Sequence, residues 1–175
     1  MILITVGTEK YPFNRLMRWI DRLIEEGFLQ PDREEVFIQY GSCTILPSGV
    51  KAFSLLPENK FKDLVKKARL IIAHCGEGTV DLLVTSGKPF ILVPRFHQLG
   101  EHVDDHQIEL AEGLESTGVP IAKSVEDLVS FLAYPKTTSF VAPRNNYAKA
   151  SYMLEQKFGK DLREEKLTTL IPNYI

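Results

Sequence analysis

The fold of this 175-residue chain is decided by residues 70–79, whose sequence is LIIAHCGEGT. The first four residues are apolar without interruption, which is typical of a strand buried on both faces of a parallel sheet. Two glycines and a threonine follow, and they lead into an apolar helical pattern over residues 79–86 that stops at Gly87. The stretch therefore predicts a central strand, a tight turn and a helix in direct succession.

The same strand-to-helix order recurs along the chain. Further strands are predicted at residues 2–6, 35–40, 50–55, 89–93 and 120–123. Further helices are predicted at residues 13–27, 61–68, 104–116 and 125–132. This alternation is typical of βαβ units and predicts one α/β domain over residues 1–134, with a Rossmann-like, doubly wound and mostly parallel sheet. Residues 135–175 are predicted to form a linker, a last helix at residues 147–158 and an apolar tail, which pack on this domain or on a partner.

The composition is that of a soluble globular protein, with 44% hydrophobic and 25% charged residues. The net charge of -2 argues against a dedicated nucleic-acid-binding protein, which would carry a basic excess. No apolar run approaches the roughly 20 residues of a membrane-spanning helix. Cys43 and Cys75 form no CxxC pair, so we interpret them as free thiols in a reducing cytosol. We therefore expect a cytoplasmic protein, either soluble or peripheral to a membrane through a partner.

Three predicted loops leave strands at the edge where open α/β folds bind their ligands. They begin at Gly7, at His74 and at Pro94. In the first loop, Gly7 would let a phosphate approach the backbone, and Thr8 adds a hydroxyl donor. The loop lacks the GxGxxG fingerprint of dinucleotide-binding folds, so an ordinary strand-to-helix turn without a ligand also explains it.

The second loop carries the stronger signal for phosphate binding. Gly76 and Gly78 allow a tight turn that leaves backbone N–H groups free at a helix N-terminus, and Thr79 either caps that helix or binds a phosphate oxygen. The alternative is a capped turn without a ligand. His74 either contacts the ligand or fills the end of the strand. Cys75 is interpreted as a packing residue, because no base follows it.

The third loop brings polar side chains to the start of a helix. Carboxylate and amide groups at Asp104, Asp105 and Gln107 suit hydrogen bonding to sugar hydroxyls. They also suit helix capping, with Asp104 or Asp105 as the N-cap residue and Gln107 completing a capping box. Three histidines lie in or near this loop: His97, His102 and His106. Their spacing matches no zinc signature, so we expect no metal site.

Together these segments resemble the C-terminal half of GT-B glycosyltransferases, the glycosyltransferase family 28 C-terminal type. The matching segments lie in the family's order, at residues 70–79, 87–89, 93–95, 100–102 and 105–107. The resemblance covers roughly residues 1–132. It is closest to the split, single-domain members, which include the soluble subunit of the dolichol-linked GlcNAc transferase and bacterial capsular and exopolysaccharide transferase subunits.

The resemblance adds roles for the loop residues, because in that family the glycine turn binds the UDP diphosphate and the Asp-His-Gln helix start contacts the donor sugar. The diphosphate site is predicted to comprise Gly7, Thr8, His74, Gly76, Glu77, Gly78 and Thr79. The contacts to the sugar or nucleoside are predicted to come from Asp81, Asp104, Asp105, His106 and Gln107. The chain departs from many relatives at Leu82, where they carry a ribose-binding glutamate. Either Asp81 substitutes for that glutamate or the ribose is held elsewhere.

The resemblance implies an inverting hexosyltransferase subunit that moves a sugar from a UDP-sugar to a lipid-linked acceptor. The UDP-sugar is a substrate, and no cofactor is expected. The acceptor side is expected on a membrane-associated partner subunit, which would hold this chain at the membrane from the cytoplasmic side. Glu101 and His102 are candidates for the catalytic base, with a carboxylate or histidine of the partner preferred over both. GlcNAc, galactose and glucuronic acid all suit such a pocket.

Two other functions are compatible with the same residues. The domain could be a non-catalytic nucleotide-binding or scaffold subunit whose partner carries out all the chemistry. It could also be a stand-alone nucleotide-sugar epimerase or hydrolase, which would turn over a UDP-sugar without a partner.

Overall fold

A computed structural model describes residues 1–133 and shows a single parallel sheet of five strands. The strands are β1 (Ile2–Thr5), β2 (Val36–Gln39), β3 (Lys51–Phe53), β4 (Leu70–His74) and β5 (Phe90–Val93). Their order is β3-β2-β1-β4-β5, and all neighbours pair in parallel. Strands β2 and β3 follow β1 in sequence and lie on one side of it, whereas β4 and β5 lie on the other side. This confirms the predicted doubly wound sheet and places its switch point between β1 and β4, where such folds bind ligands.

Helices cover both faces of this sheet. They are α1 (Asn14–Glu25), α2 (Glu58–Lys67), α3 (Glu77–Ser86), α4 (His106–Glu115) and α5 (Val125–Ala133). One apolar cluster joins α1 and α5 to Ile4 and Ile72, and a second joins α2, α3 and α4 to Leu3 and Ile71. Because neighbouring strand residues point to opposite faces, both faces of β1 and β4 are buried. This explains why residues 70–73 are apolar throughout.

The predicted ends of two helices are confirmed. Gly27 and Gly87 follow α1 and α3 with φ angles of 78° and 65°, in the left-handed region that glycine adopts without strain. Helix α2 begins at Glu58, three residues before the predicted start, and Pro57 occupies its N-cap position.

The predicted strand at residues 120–123 is wrong as a full strand. Only Ile121 pairs with Leu92, in an isolated parallel bridge. The backbone N–H groups of Lys123 and Ser124 instead donate to the carboxylate of Asp127, at 2.8 and 2.9 Å, just before α5. The capping of α5 therefore takes the donors that a longer strand would need.

The predicted linker, the helix at residues 147–158 and the apolar tail lie outside the described residues. Within residues 1–133, no helix is both long enough and apolar enough to cross a membrane.

A fully buried arginine fastens the loops at the carboxyl edge of the sheet. Arg95 follows β5, and none of its surface is exposed. Its guanidinium donates to the backbone carbonyls of Val6, Tyr11 and Glu101, at 2.5, 2.8 and 2.8 Å. It also lies 4.7 Å from the centre of the Phe13 ring. One side chain therefore holds together the loops after β1 and β5, which are distant in sequence.

We expect Arg95→Met to lower the free energy of unfolding by about 2–4 kcal/mol, because it leaves three buried carbonyls without donors while relieving the burial of a charge. Urea denaturation of wild type and variant measures the difference. Arg18→Met is the matched control, since Arg18 is exposed on α1. Equal losses in the two variants would contradict a structural role for Arg95.

Candidate functional site

A cleft of about 1070 Å³ opens at the carboxyl edge of the sheet, at the switch point. Its walls are the loops after β1 and β4 and the first turns of α2, α3 and α4. Most of the predicted site residues line it: Gly7, Thr8, His74, Gly76, Glu77, Gly78, Thr79, His102, Asp104, His106 and Gln107. The structure therefore brings the three predicted loops into one site.

His74, the last residue of β4, lies at the centre of this site. Its imidazole is held in a slot between two glycines, which we call the His74 slot. A Cβ atom on Gly7 would lie 2.3 Å from Nε2 of the ring, and a Cβ atom on Gly76 would lie 2.3 Å from Cε1. The backbone at both positions lies so close to the ring that only glycine, which has no Cβ atom, fits there.

The His74 ring is neutral at physiological pH. Burial lowers its pKa from 6.5 to about 3, and the nearby Arg95 and His102 act in the same direction. Nε2 of the ring lies 2.9 Å from the hydroxyl oxygen of Thr79, and Nδ1 lies 3.3 Å from Nε2 of Gln107. Both ring nitrogens therefore have partners on neighbouring helices.

The start of α3 offers donors for an anion. Gly76 is the N-cap residue, and the N–H groups of Thr79 and Val80 already donate to its carbonyl. In the described part of the chain, no acceptor contacts the N–H groups of Glu77 or Gly78. These two donors, with the positive end of the helix dipole, suit a phosphate group.

The structure refines two predictions for this turn. Thr79 does not cap α3, because it is the third residue of the helix and its hydroxyl contacts His74. Glu77 can serve a diphosphate only through its N–H group, because its carboxylate has the same sign of charge as the ligand.

The loop after β1 is held by a buried amide that the sequence interpretation missed. The N–H group of Gly7 donates to Oε1 of Gln39 at 3.1 Å, and Nε2 of Gln39 donates to the Gly7 carbonyl at 2.8 Å. The hydroxyl of Thr5 also donates to Oε1 of Gln39, at 2.6 Å. The Gly7 N–H group is thus already bonded, so Gly7 serves the site through its small size. The available signal was a polar residue, Gln39, next to the last residue of the strand predicted at residues 35–40.

The carboxylate of Asp104 is enclosed by histidines at the start of α4. Its Oδ1 lies 2.8 Å from Nδ1 of His102 and its Oδ2 lies 2.6 Å from Nδ1 of His106, while the His106 N–H group donates to Oδ1 at 3.1 Å. The three side chains line one side of the cleft as a connected polar group.

The capping box predicted for this helix start is wrong. Asp105 occupies the N-cap position without a side-chain hydrogen bond to the helix. The Gln107 side chain turns inward instead, towards His74 and the N–H group of Arg95. Asp105 does not line the cleft, and its carboxylate accepts from the His97 N–H group at 3.3 Å.

Two further predicted residues do not reach the cleft. Asp81 is exposed on α3 and is not among the lining residues. Glu101 is buried, and its carboxylate accepts from Nε and Nη2 of Arg15, at 2.9 and 2.8 Å, and from the Phe96 N–H group. Glu101, a candidate base in the sequence analysis, is therefore bound to Arg15 and does not face the cleft. Of the two candidates, only His102 lines the cleft.

The sequence interpretation also missed part of the cleft wall. Leu56, Phe61 and Leu110 give it an apolar side, and Glu9 and Glu58 add two carboxylates. Phe61 and Leu110 lie in predicted helices, but helical periodicity does not say which residue faces a ligand. Among the described lining residues there is no lysine or arginine.

The described residues include neither a cluster that could bind a metal ion nor a reactive thiol in the cleft. In residues 1–133, no three histidine, cysteine, aspartate or glutamate side chains are arranged to hold a metal ion. Burial raises the pKa of the Cys75 thiol to about 12, so it is protonated at neutral pH and does not act as a nucleophile.

The glycosyltransferase family 28 C-terminal domain matches residues 1–162, which is most of the chain. The chain belongs to this glycosyltransferase family. The resemblance inferred from the glycine turn and the later motifs is therefore confirmed.

One relative of this family 28 domain is the UDP-N-acetylglucosamine transferase subunit ALG13 of Cryptococcus neoformans var. neoformans serotype D, strain JEC21, with 36% identity over 72 residues. The match covers 40% of this chain and 34% of the relative. The protein of strain B-3501A gives the same values. The match thus spans about a third of the length of these curated relatives.

Solved structures support the fold of the family 28 domain. The spinosyn forosaminyltransferase SpnP matches with a TM-score of 0.53 and 20% identity, over 89% of this chain and 39% of that one. The solution structure of ALG13 matches with a TM-score of 0.53 and 17% identity, over 84% of this chain and 91% of that one. The predicted Rossmann-like fold of a GT-B C-terminal half is confirmed.

The lowered pKa of His74 predicts acid sensitivity. The unfolded chain binds a proton at His74 below about pH 6.5, whereas the folded chain does so only near pH 3, so stability falls as pH decreases through this window. Between pH 7 and pH 5 this effect lowers the free energy of unfolding by about 2 kcal/mol. Urea denaturation at both values should show that His74→Asn lacks this loss. An equal pH dependence in wild type and variant would contradict the buried neutral ring.

Proposed function

We propose that this chain is the donor-binding subunit of a two-component inverting hexosyltransferase, which moves a sugar from a UDP-sugar to a lipid-linked acceptor. The observation that carries the proposal is the pair of N–H groups of Glu77 and Gly78, which face a cleft at the switch point without an acceptor in the described chain. This arrangement suits the diphosphate of a nucleotide sugar. The UDP-sugar is consumed as a substrate.

The reaction is a direct displacement at the anomeric carbon. The acceptor hydroxyl oxygen forms a bond to that carbon while the bond to the diphosphate oxygen breaks, and UDP leaves with the bonding electrons. The two N–H groups and the α3 dipole stabilise the charge that develops on the departing diphosphate, so the step requires no metal ion. The proton of the acceptor hydroxyl passes to a base.

The remaining walls of the cleft suit the rest of the donor. Leu56, Phe61 and Leu110 provide an apolar surface on which a nucleobase can pack. Asp104 and His106 offer acceptors and donors for sugar hydroxyls at the start of α4.

The charge of the cleft supports a second subunit. Its described lining carries the carboxylates of Glu9, Glu58, Glu77 and Asp104, with no lysine or arginine to balance them. A bound diphosphate adds further negative charge, which cations on an opposing surface would offset. We therefore place these cations, the acceptor site and the base on a membrane-associated partner. The relative named as a transferase subunit supports this arrangement. The chain would then act at the cytoplasmic side of the membrane.

Gly78→Leu tests the diphosphate site. A Cβ atom at Gly78 meets no protein atom within 4 Å, so the substitution is tolerated by the fold but crowds the donors at the start of α3. Calorimetric titration of the full chain with UDP and UDP-GlcNAc should show at least a roughly tenfold loss of affinity, equivalent to about 1.4 kcal/mol. Gly113→Leu is the matched control, because Gly113 also lies in a helix with open space at its Cβ position.

Two outcomes would contradict the proposal. One is the absence of UDP binding by the wild-type chain in the presence of its partner, and the other is equal affinity in all three proteins. In the enzyme assembled with its partner, transferase activity that survives Gly78→Leu would instead favour a non-catalytic scaffold. Turnover of UDP-GlcNAc by the purified chain alone would favour an epimerase or hydrolase.

A further inference from the structure

A buried line of polar groups runs beneath the cleft from α4 to α3. It begins at Gln107, a residue that is 4% exposed, passes through His74 and ends at the hydroxyl of Thr79. The backbone N–H group of Arg95 meets Oε1 of Gln107 at 3.3 Å. Because an N–H group can only donate, this contact fixes which end of the amide is oxygen. The amide nitrogen of Gln107 therefore faces the imidazole.

The orientation of this amide decides the tautomer of His74. The Gln107 amide nitrogen can only donate, so Nδ1 of His74 must accept and carries no hydrogen. The single ring hydrogen of the neutral imidazole is then on Nε2. From there it donates to the hydroxyl oxygen of Thr79, at 2.9 Å.

The tautomer in turn decides what the Thr79 hydroxyl can do. Its oxygen accepts from His74, so its own hydrogen is available to another group. Across residues 1–133, the hydroxyl has no hydrogen bond other than this one. Thr79 lines the cleft in the same turn as the N–H groups of Glu77 and Gly78. The hydroxyl is thus a third donor beside those two.

We propose that Gln107 is a positioning residue, which holds His74 in the Nε2–H tautomer so that the Thr79 hydroxyl donates to a phosphate oxygen bound at the start of α3. This inference rests on the proposed function and deepens it. Gln107 acts here through His74, because it is almost fully buried and its amide contacts Arg95 and His74 inside the protein.

The tautomer can be measured directly. Long-range proton–nitrogen NMR of the ligand-free full chain at pH 7 should show His74 with its hydrogen on Nε2. In Gln107→Glu the carboxylate still accepts from Arg95 but cannot donate, so the His74 hydrogen should move from Nε2 to Nδ1. A wild-type ring with its hydrogen on Nδ1 would overturn the proposal.

A double-mutant cycle distinguishes an effect of Gln107 that acts through His74 and Thr79, here called the relay, from repulsion between the carboxylate introduced by Gln107→Glu and the bound UDP. Titration with UDP should show a loss of affinity of about tenfold for Thr79→Val and a similar loss for Gln107→Glu. In the Thr79→Val background, Gln107→Glu should cost less than about twofold, because the donor it acts through is already absent. An undiminished loss in that background would assign the effect to the added charge and would overturn the relay.

A second variant keeps the test decisive if Gln107→Glu does not fold. Gln107→Met removes the donor without adding a charge, so His74 should lose its single tautomer and show both forms. A Gln107→Met ring that stays wholly in the Nε2–H form would overturn the role of Gln107. The outcomes also separate the two proposals. Failure of the wild-type chain to bind UDP in the presence of its partner refutes the proposed function, whereas the tautomer is measured without any ligand.

Discussion

The site depends on the burial of one positive charge beneath it. Removing a guanidinium from water is costly, and Arg95 offsets this cost with charge-assisted hydrogen bonds to three backbone carbonyls. Burial lowers the pKa of Arg95, but a guanidinium remains charged at any physiological pH. The same charge helps to keep the neighbouring His74 neutral. One buried cation therefore holds the loops in place and also adds to the effect of burial that keeps the ring neutral.

The resulting site offers a ligand preformed dipoles rather than surface cations. The backbone N–H groups at the N-terminus of α3 are fixed by the helical backbone. The loop at Gly7 is fixed by hydrogen bonds to the Gln39 side chain. Such donors need little reorganisation when a charge develops on a leaving group, which is the condition for electrostatic catalysis. The described site thus suits a leaving diphosphate. The carboxylates that line it have no lysine or arginine beside them in the described lining, so positive charge to offset a diphosphate must come from outside this lining.

The sequence predicts the fold and the edge that carries the site, because both follow from local patterns. Apolar runs identify the strands, and Gly27 and Gly87 mark helix ends through their own conformations. It does not predict the inward turn of Gln107 or the pairing of Glu101 with Arg15, which join residues 33 and 86 positions apart. Such contacts leave no periodic pattern along the chain. The misassigned strand at residues 120–123 has a similar cause, since a side-chain cap competes for the same backbone donors.

The His74 slot has a consequence for how this family can vary. The ring fills the space between Gly7 and Gly76, and any Cβ atom at either position would overlap it. A larger residue at one of these glycines is therefore compatible with the fold only where the histidine has become smaller. A φ of 76° keeps position 7 a glycine whatever the size of residue 74. Positions 74 and 76 are therefore expected to covary in related sequences, so that a ring accompanies a glycine and a short side chain accompanies its replacement.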